Sequence, residues 1–148
     1  MKALFVDTAG WMACADAADP THERSCAARD AALDQGIALV TTDYVVDETL
    51  TLIRKRIGLR AAEKLWRQIE TSSRLRWEWI DVPRAEKARG LFFRHRDKEY
   101  SFTDCTSIVV MRELKISQAL TTDYHFHLLA FRGSCAAAKR AFRSRPTA

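Results

Sequence analysis

The sequence has 148 residues, which is enough for one domain with a substantial hydrophobic core. Its 47% hydrophobic and 29% charged residues are typical of a globular protein and exclude a disordered or fibrous chain. No apolar run approaches the roughly 20 residues of a membrane helix, and the apolar start is too short for a signal peptide. We therefore expect a cytoplasmic protein that does not enter a membrane.

The net charge of +5 is unevenly distributed along the chain. Residues 132–148 contain five basic residues and no acid, so the remainder of the chain is neutral overall. Within that remainder, residues 54–98 carry a net charge of +8 and residues 1–53 a net charge of −6. This segregation suggests a metal-binding pocket beside a surface for a polyanion, although charge alone is better explained by solvated helices.

The cysteines predict neither disulfides nor a zinc site. They show no CxxC spacing, and the four histidines do not pair with them at the spacings that zinc sites use. We expect reduced thiols in a cytosolic protein, at Cys14, Cys26, Cys105 and Cys135.

Short apolar runs alternate with helical patterns along the chain, as is typical of an α/β fold. Predicted strands lie at 3–6, 37–40, 76–80 and 118–121, and predicted helices at about 10–17, 20–36, 43–57, 59–70, 82–95 and 103–114, with a short element at 126–131. We therefore predict an α/β/α three-layer fold with a mainly parallel central sheet. Residues 1–131 form the predicted domain, and 132–148 a basic, partly ordered tail.

Four acidic residues fall where this fold gathers its functional groups. Asp7 and Asp123 directly follow predicted strands, Asp104 begins the helix that leads into the last strand, and Glu48 lies on the helix after strand two. Ligands of parallel sheets bind beyond the carboxyl ends of the strands, so these side chains can converge on one crevice. Carboxylates without matching cations repel one another, and a hard divalent cation such as Mg²⁺ stabilises such a group.

Each of these acids also has a structural explanation. Asp7 can cap the following helix, and Glu48 can be an exposed helical acid. Asp104 can complete a capping box with Ser101, and Asp123 can be a turn residue. Taken singly these alternatives stay open, but the joint placement of all four favours a common site.

The helix that follows Ser101 is apolar almost all round, which predicts that it lies in the core. At 100° per residue, Asp104 falls on the same face as Cys105, Ile108 and Met111. We therefore expect the Asp104 carboxylate to be buried, where it needs a cation, a hydrogen-bond donor or a metal ion.

These pieces together resemble a PIN domain and, more narrowly, the VapC-type toxins of bacterial toxin–antitoxin pairs. The resemblance covers about residues 1–131 and lies in the order and spacing of four segments: Asp7-Thr8 after a strand, Glu48 on the third helix, Ser101-Phe-Thr-Asp104, and Thr121-Thr-Asp123-Tyr-His-Phe126. The basic tail departs from the family pattern, in which chains commonly end soon after the last strand.

The resemblance implies a metal-dependent endoribonuclease that uses Mg²⁺ or Mn²⁺ and acts on RNA. It implies a homodimer that a cognate antitoxin protein inhibits. It assigns the catalytic quartet to Asp7, Glu48, Asp104 and Asp123, direct metal binding to Asp7 and Asp104, and supporting roles to Thr8 and Ser101.

The basic region offers further candidates for contact with RNA. Arg54, Arg56, Arg60 and Arg67 are predicted to follow the phosphate backbone, so that binding weakens with salt. Trp66, Trp77 and Trp79 could stack on bases, but we expect at least two of them to pack in the core.

Two other functions compete with RNA cleavage. A phosphatase of the haloacid-dehalogenase type also begins with a strand and an Asp, but it needs a second Asp where Ala9 stands. The stronger alternative is a catalytically silent PIN module that binds RNA or a protein. That alternative predicts the loss of an acid from the quartet, and the quartet is complete.

Overall fold

The computed structural model describes residues 2–94 and 99–122, which form a four-stranded sheet and six helices. In chain order these are β1 (Ala3–Val6), α1 (Thr8–Ala15), α2 (His22–Asp34), β2 (Ala38–Thr42), α3 (Asp43–Arg56), α4 (Leu59–Thr71), β3 (Leu75–Glu78), α5 (Val82–Arg94), α6 (Phe102–Glu113) and β4 (Ala119–Leu120). The predicted element at 126–131 and the predicted tail at 132–148 lie outside the described residues.

The sheet is parallel and has the order β3-β2-β1-β4. Phe5 of β1 is paired with Val40 of β2 on one side and with Ala119 of β4 on the other. All four residues of β1 are buried, and successive side chains point to opposite faces, so both faces of the sheet are covered. The predicted α/β architecture with a parallel central sheet is confirmed.

Strand β1 is the point where the chain changes direction across the sheet. The next two strands in sequence are added on one side of β1, whereas β4 is added on the other side. A crevice therefore opens beyond the carboxyl ends of β1 and β4, which is where ligands of such sheets bind.

Gly10 allows the first helix to approach this crevice closely. A Cβ atom on Gly10 would lie 2.1 Å from the carbonyl oxygen of Leu120 and 3.2 Å from a methyl group of Val6. Real side chains do not tolerate the first of these separations. The absence of a side chain at Gly10 thus permits the start of α1 to pack against the end of β4.

Buried hydrogen bonds fix α1 against the sheet. The indole N–H of Trp11 donates to the hydroxyl of Thr41 (3.1 Å), and that hydroxyl donates to the carbonyl of Val6 (3.2 Å). One residue further on, the Thr42 hydroxyl accepts from the N–H of Val45 (3.1 Å) and caps α3.

Helix α2 begins at His22 and not at Pro20 as predicted. The Asp19 carboxylate accepts hydrogen bonds from the backbone N–H and the hydroxyl of Thr21, both at 2.7 Å. This local turn occupies the residues at which the helix was expected to begin.

Ion pairs join the outer strand β3 to helices α5 and α6. Glu78 accepts from Arg76 (2.6 Å) and from Arg84 (3.0 Å), and Glu113 accepts from Arg84 (2.9 Å) and from Lys87 (2.9 Å). Arg84 thus lies between two carboxylates, with its side chain 15% exposed.

Candidate active site

Asp7 is placed at the end of β1 by bonds to two distant parts of the chain. It is the N-cap of α1, and its Oδ1 accepts from the N–H of Gly10 at 2.7 Å. Its Oδ2 accepts a short hydrogen bond from the hydroxyl of Thr121, which directly follows β4. The residue is only 4% exposed, so an ionisable carboxylate is held almost entirely inside the protein by a backbone N–H and a hydroxyl group.

Asp104 is placed by a capping box at the start of α6. The Ser101 hydroxyl accepts from the N–H of Asp104 (3.0 Å), and the Asp104 carboxylate accepts from the N–H of Ser101 (3.1 Å). The prediction that Asp104 is buried is wrong: the residue is partly exposed, because the capping box draws its carboxylate to the end of the helix. The apolar residues after it are buried as expected.

Helix α3 supplies a third acid. Glu48 lies on the same helical face as Leu52 and Arg56, because residues four apart are neighbours on a helix. Glu48 is partly exposed, and its side chain reaches the space beside Asp7 and Asp104. The explanation of Glu48 as a purely solvent-facing acid therefore does not hold.

These acids line one open cavity of about 310 Å³. Its lining comes from the ends of β1 and β4, from α1 and α3, and from the residues around the start of α6. The residues are Asp7, Thr8, Ala9, Met12, Asp19, Glu48, Leu52, Arg56, Glu99, Ser101, Asp104 and Thr122. The three described members of the predicted quartet and both predicted supporting residues thus face the same space.

The residues of this cavity lie within a region that matches a known protein family. The model of the PIN domain family matches residues 4–132, which include the whole cavity. The chain belongs to the PIN domain family. The predicted α/β architecture of the chain is therefore consistent with its membership of this family.

Relatives of this PIN domain are ribonucleases. The 23S rRNA-specific endonuclease VapC20 of Mycobacterium tuberculosis is 34% identical over 128 residues, covering 86% of this chain and 95% of VapC20. Ribonuclease VapC26 of the same organism is 28% identical over 129 residues, covering 85% of this chain and 91% of VapC26.

A solved structure agrees with the sequence comparison. The crystal structure of M. tuberculosis VapC20, a toxin that cleaves the sarcin–ricin loop, superposes with a TM-score of 0.74 and 33% identity. It covers 84% of this chain and 92% of the crystallised chain. The predicted enzyme class, an RNA-cleaving hydrolase of the VapC type, is confirmed.

VapC nucleases generally depend on a divalent metal ion, and the donors in this cavity fit one. They are carboxylate oxygens, which hard cations prefer, and both oxygens of Asp7 are oriented by hydrogen bonds from a backbone N–H and a hydroxyl group. Among the described residues, no three acidic, histidine or cysteine side chains are close enough to share one ion. A site for Mg²⁺ needs only one or two direct carboxylates, with water and substrate phosphate as the other ligands.

The predicted RNA-binding arginines do not share one surface. Arg56 lines the acidic cavity, whereas Arg60 and Arg67 line a shallow depression on the outer side of α4. Arg54 is exposed on the last turn of α3, and Arg67 forms an ion pair with Glu63 at 2.8 Å. Of the four, only Arg56 is placed beside the acids.

The three tryptophans form one cluster near the outer edge of the sheet. Trp77 packs edge-on against Trp66, with ring centroids 5.9 Å apart, and tilted against Trp79 at 5.4 Å. Trp66 is 41% exposed and Trp79 65% exposed, so the expectation that at least two lie in the core is wrong. The alternating pattern of β3 did not reveal that this strand is the outermost of the described sheet.

The sequence analysis missed two acids in the cavity, Asp19 and Glu99. Both lie in connecting segments, where no hydrophobic periodicity reports the direction of a side chain. Hydrogen bonds from the hydroxyl and then the backbone N–H of Thr21 lower the pKa of Asp19, so this carboxyl is ionised at neutral pH. Its position after α1, at the turn that precedes α2, was the only available signal.

One predicted quartet member, Asp123, lies outside the described residues, although its neighbour Thr122 lines the cavity. The described cysteines, Cys14, Cys26 and Cys105, are free thiols. In the described part of the chain no helix is long and apolar enough to cross a membrane.

Proposed function

We propose that this PIN domain is a Mg²⁺- or Mn²⁺-dependent endoribonuclease in which Asp7, Glu48, Asp104 and Asp123 form the catalytic quartet. The observation that supports it is the convergence of Asp7, Glu48 and Asp104, from three separate elements, on one open cavity. A structural role alone would not require the three acids to face a common space.

Asp7 and Asp104 are the proposed direct metal ligands. Asp7 is the more rigid of the two, because it is buried and both of its oxygens accept hydrogen bonds. Ser101 positions Asp104 through the capping box, and Thr8 borders the same cavity from the first turn of α1. When bound, the metal ion would lower the pKa of a water molecule and stabilise negative charge on the phosphate.

Glu48 and Asp123 complete the proposed site. Glu48 lines the cavity from α3, where we propose that it orients the attacking water or shares a second ion. Ala9 occupies the position at which a haloacid-dehalogenase-type phosphatase needs a second Asp, which argues against that alternative.

The proposed substrate is 23S rRNA at the sarcin–ricin loop. The support is the 34% identity with VapC20 over 95% of that protein, together with the TM-score of 0.74. As in other toxin–antitoxin pairs, we propose that a cognate antitoxin protein inhibits the enzyme in the cytoplasm, and that the enzyme is a homodimer. The division into a nuclease domain, 1–131, and a basic tail, 132–148, also remains a proposal.

The test is cleavage of a synthetic RNA hairpin that carries the sarcin–ricin loop, with Mg²⁺, with Mn²⁺ and with EDTA. We expect cleavage with either metal, none with EDTA, and none by Asp104→Asn. Equal cleavage by wild type and Asp104→Asn would contradict the site assignment. Metal binding without cleavage of the hairpin or of whole ribosomes would favour the silent RNA- or protein-binding module.

A matched pair of variants on α3 controls for indirect effects. Glu48→Gln and Asp47→Asn each remove one negative charge from adjacent positions of the same helix. Glu48 faces the cavity, whereas Asp47 is exposed elsewhere. We expect cleavage to be lost with Glu48→Gln and retained with Asp47→Asn.

A further inference from the structure

One face of α3 contributes three residues to the cavity. Glu48, Leu52 and Arg56 follow one another at intervals of four residues, and all three line the cavity. Eight residues of α-helix extend about 12 Å along the axis, so the acid and the arginine are spaced apart along the same cavity.

Arg56 is an unusual residue in this position. It is the one basic side chain among the described residues that line the cavity, and five acids line it as well. Despite those acids, Arg56 forms none of the ion pairs or hydrogen bonds found among the described residues. Its guanidinium therefore keeps its donors available to a ligand.

Two structural explanations do not account for this placement. A cation in the last turn of a helix interacts favourably with the helix dipole, but Arg54 and Lys55 supply the same effect on the same turn. Glu48 takes part in none of the ion pairs of the described residues, so Arg56 is not held in place by direct contact with it. Arg56 is thus placed where it can contact a ligand of the cavity.

The chemistry of the cavity selects the ligand. A pocket of carboxylates repels RNA unless a cation near it attracts the phosphates, and the planar guanidinium can donate two parallel hydrogen bonds to a phosphate. Leu52, between the two charged residues, offers an apolar contact for a sugar or a base.

We propose that Arg56 binds an RNA phosphate adjacent to the one that is cleaved, so that the substrate strand lies along α3 from Glu48 past Leu52 to Arg56. This inference rests on the proposed ribonuclease function. It separates Arg56, as a substrate-positioning residue of the cavity, from Arg54, Arg60 and Arg67, which lie outside the cavity.

The first experiment compares Arg56→Gln with Lys55→Gln, which removes the same charge from the neighbouring exposed position. With the sarcin–ricin hairpin and Mg²⁺, we expect Arg56→Gln to raise KM about tenfold and to reduce the salt dependence of binding by about one phosphate contact. Lys55→Gln should change KM less than about twofold, and Arg56→Lys should restore the salt dependence.

A second experiment locates the phosphate. Hairpins with a single neutral methylphosphonate at successive positions around the cleaved bond are compared with wild type and with Arg56→Gln. We expect one neighbouring position at which neutralisation weakens binding to wild type but has no further effect on Arg56→Gln.

The outcomes separate this inference from the proposed function. If wild type cleaves the hairpin but Arg56→Gln behaves like Lys55→Gln, the role of Arg56 is refuted while the nuclease assignment stands. Equal losses for both proteins at every methylphosphonate position would refute it as well. If wild type neither binds nor cleaves the hairpin or ribosomal RNA, the proposed function and this inference both fail.

Discussion

Carboxylates are held in two different ways beside the outer strand β3 and beside the inner strand β1. At the outer strand, Glu78 and Glu113 are each paired with two cationic side chains. At the end of β1, Asp7 is held by a backbone N–H and a hydroxyl group, and Asp104 by its capping box. Glu78 and Glu113 thus lie in a network of ion pairs, whereas Asp7 and Asp104 are oriented by hydrogen bonds from backbone N–H and hydroxyl groups.

The proposed metal site predicts that these two groups of acids differ in function. An ion pair near a surface already satisfies both charges, so little is left for another cation. The proposed metal site requires instead that the carboxylates of Asp7 and Asp104 attract a metal ion. Replacement of a carboxylate by an amide should therefore reduce mainly cleavage at Asp7 and mainly stability at Glu78.

The largest effect is expected for Asp7→Asn. The amide can still accept from Gly10 and bond to Thr121, so the fold should be kept while a proposed metal ligand is lost. Cleavage of the hairpin should fall by roughly 100-fold or more. The midpoint of urea denaturation should not decrease, and a large decrease would show that Asp7 is a structural acid.

The next effect is expected for Gly10→Ala, measured by urea denaturation. The added methyl group meets the Leu120 carbonyl at the junction of α1 and β4. The free energy of unfolding should fall by roughly 1–3 kcal/mol. The control is Gly90→Ala on α5, where a Cβ meets nothing within 4 Å and where stability should rise by about 0.5–1 kcal/mol. Equal effects of the two would show that α1 and β4 are not in close contact.

Glu78→Gln tests the ion pairs beside β3 with the same carboxylate-to-amide change as Asp7→Asn. It weakens contacts with Arg76 and Arg84, and the Glu78 side chain is only 12% exposed. The free energy of unfolding should fall by roughly 1–2 kcal/mol, while cleavage per folded molecule stays unchanged. A loss of cleavage without a loss of stability would reverse the assignment of the two regions.

The smallest effect concerns two pKa values with different causes. Hydrogen bonds from Lys87 and then Arg84 lower the pKa of Glu113, and those from Thr21 lower the pKa of Asp19. In about 1 M salt the pKa of Glu113 should rise towards its ordinary value, whereas that of Asp19 should change little. An NMR titration of the carboxyl carbons measures both, and equal responses would contradict the comparison.

The lowered pKa of Glu113 also affects the stability of the fold. Because its pKa in the folded protein lies below the ordinary value of 4.5, its contribution is complete above that pH and is lost as the pH falls further. Denaturation midpoints of wild type and Glu113→Gln should therefore converge at low salt as the pH falls below 4.5 through the lowered pKa of Glu113.

The sheet and most of the cavity were predictable because local patterns encode them. Apolar runs located β1 and β2, and the acids that follow strands or begin helices had only a few positions available in a parallel sheet. The capping box of Asp104 was also recognisable, but its effect on burial was not. The helical wheel places an N-terminal residue on a face, whereas the hydrogen bond to Ser101 draws the carboxylate towards the helix end.

The rest depended on tertiary contacts that the sequence does not display. Asp19 and Glu99 reach the cavity from connecting segments, and the exposure of Trp66 and Trp79 depends on which strand lies outermost. The four predicted RNA-binding arginines looked equivalent as a run of basic residues. Only its position beside the cavity distinguishes Arg56 from the other three.

The bond between Asp7 and Thr121 joins residues 114 positions apart. During translation, the ribosome therefore carries an unfinished crevice until nearly all of the described chain has emerged and β4 can pair with β1. The acidic cavity therefore stays incomplete for most of the synthesis of the described chain. The order of strands along the chain thus delays any activity of this site until β4 has been made.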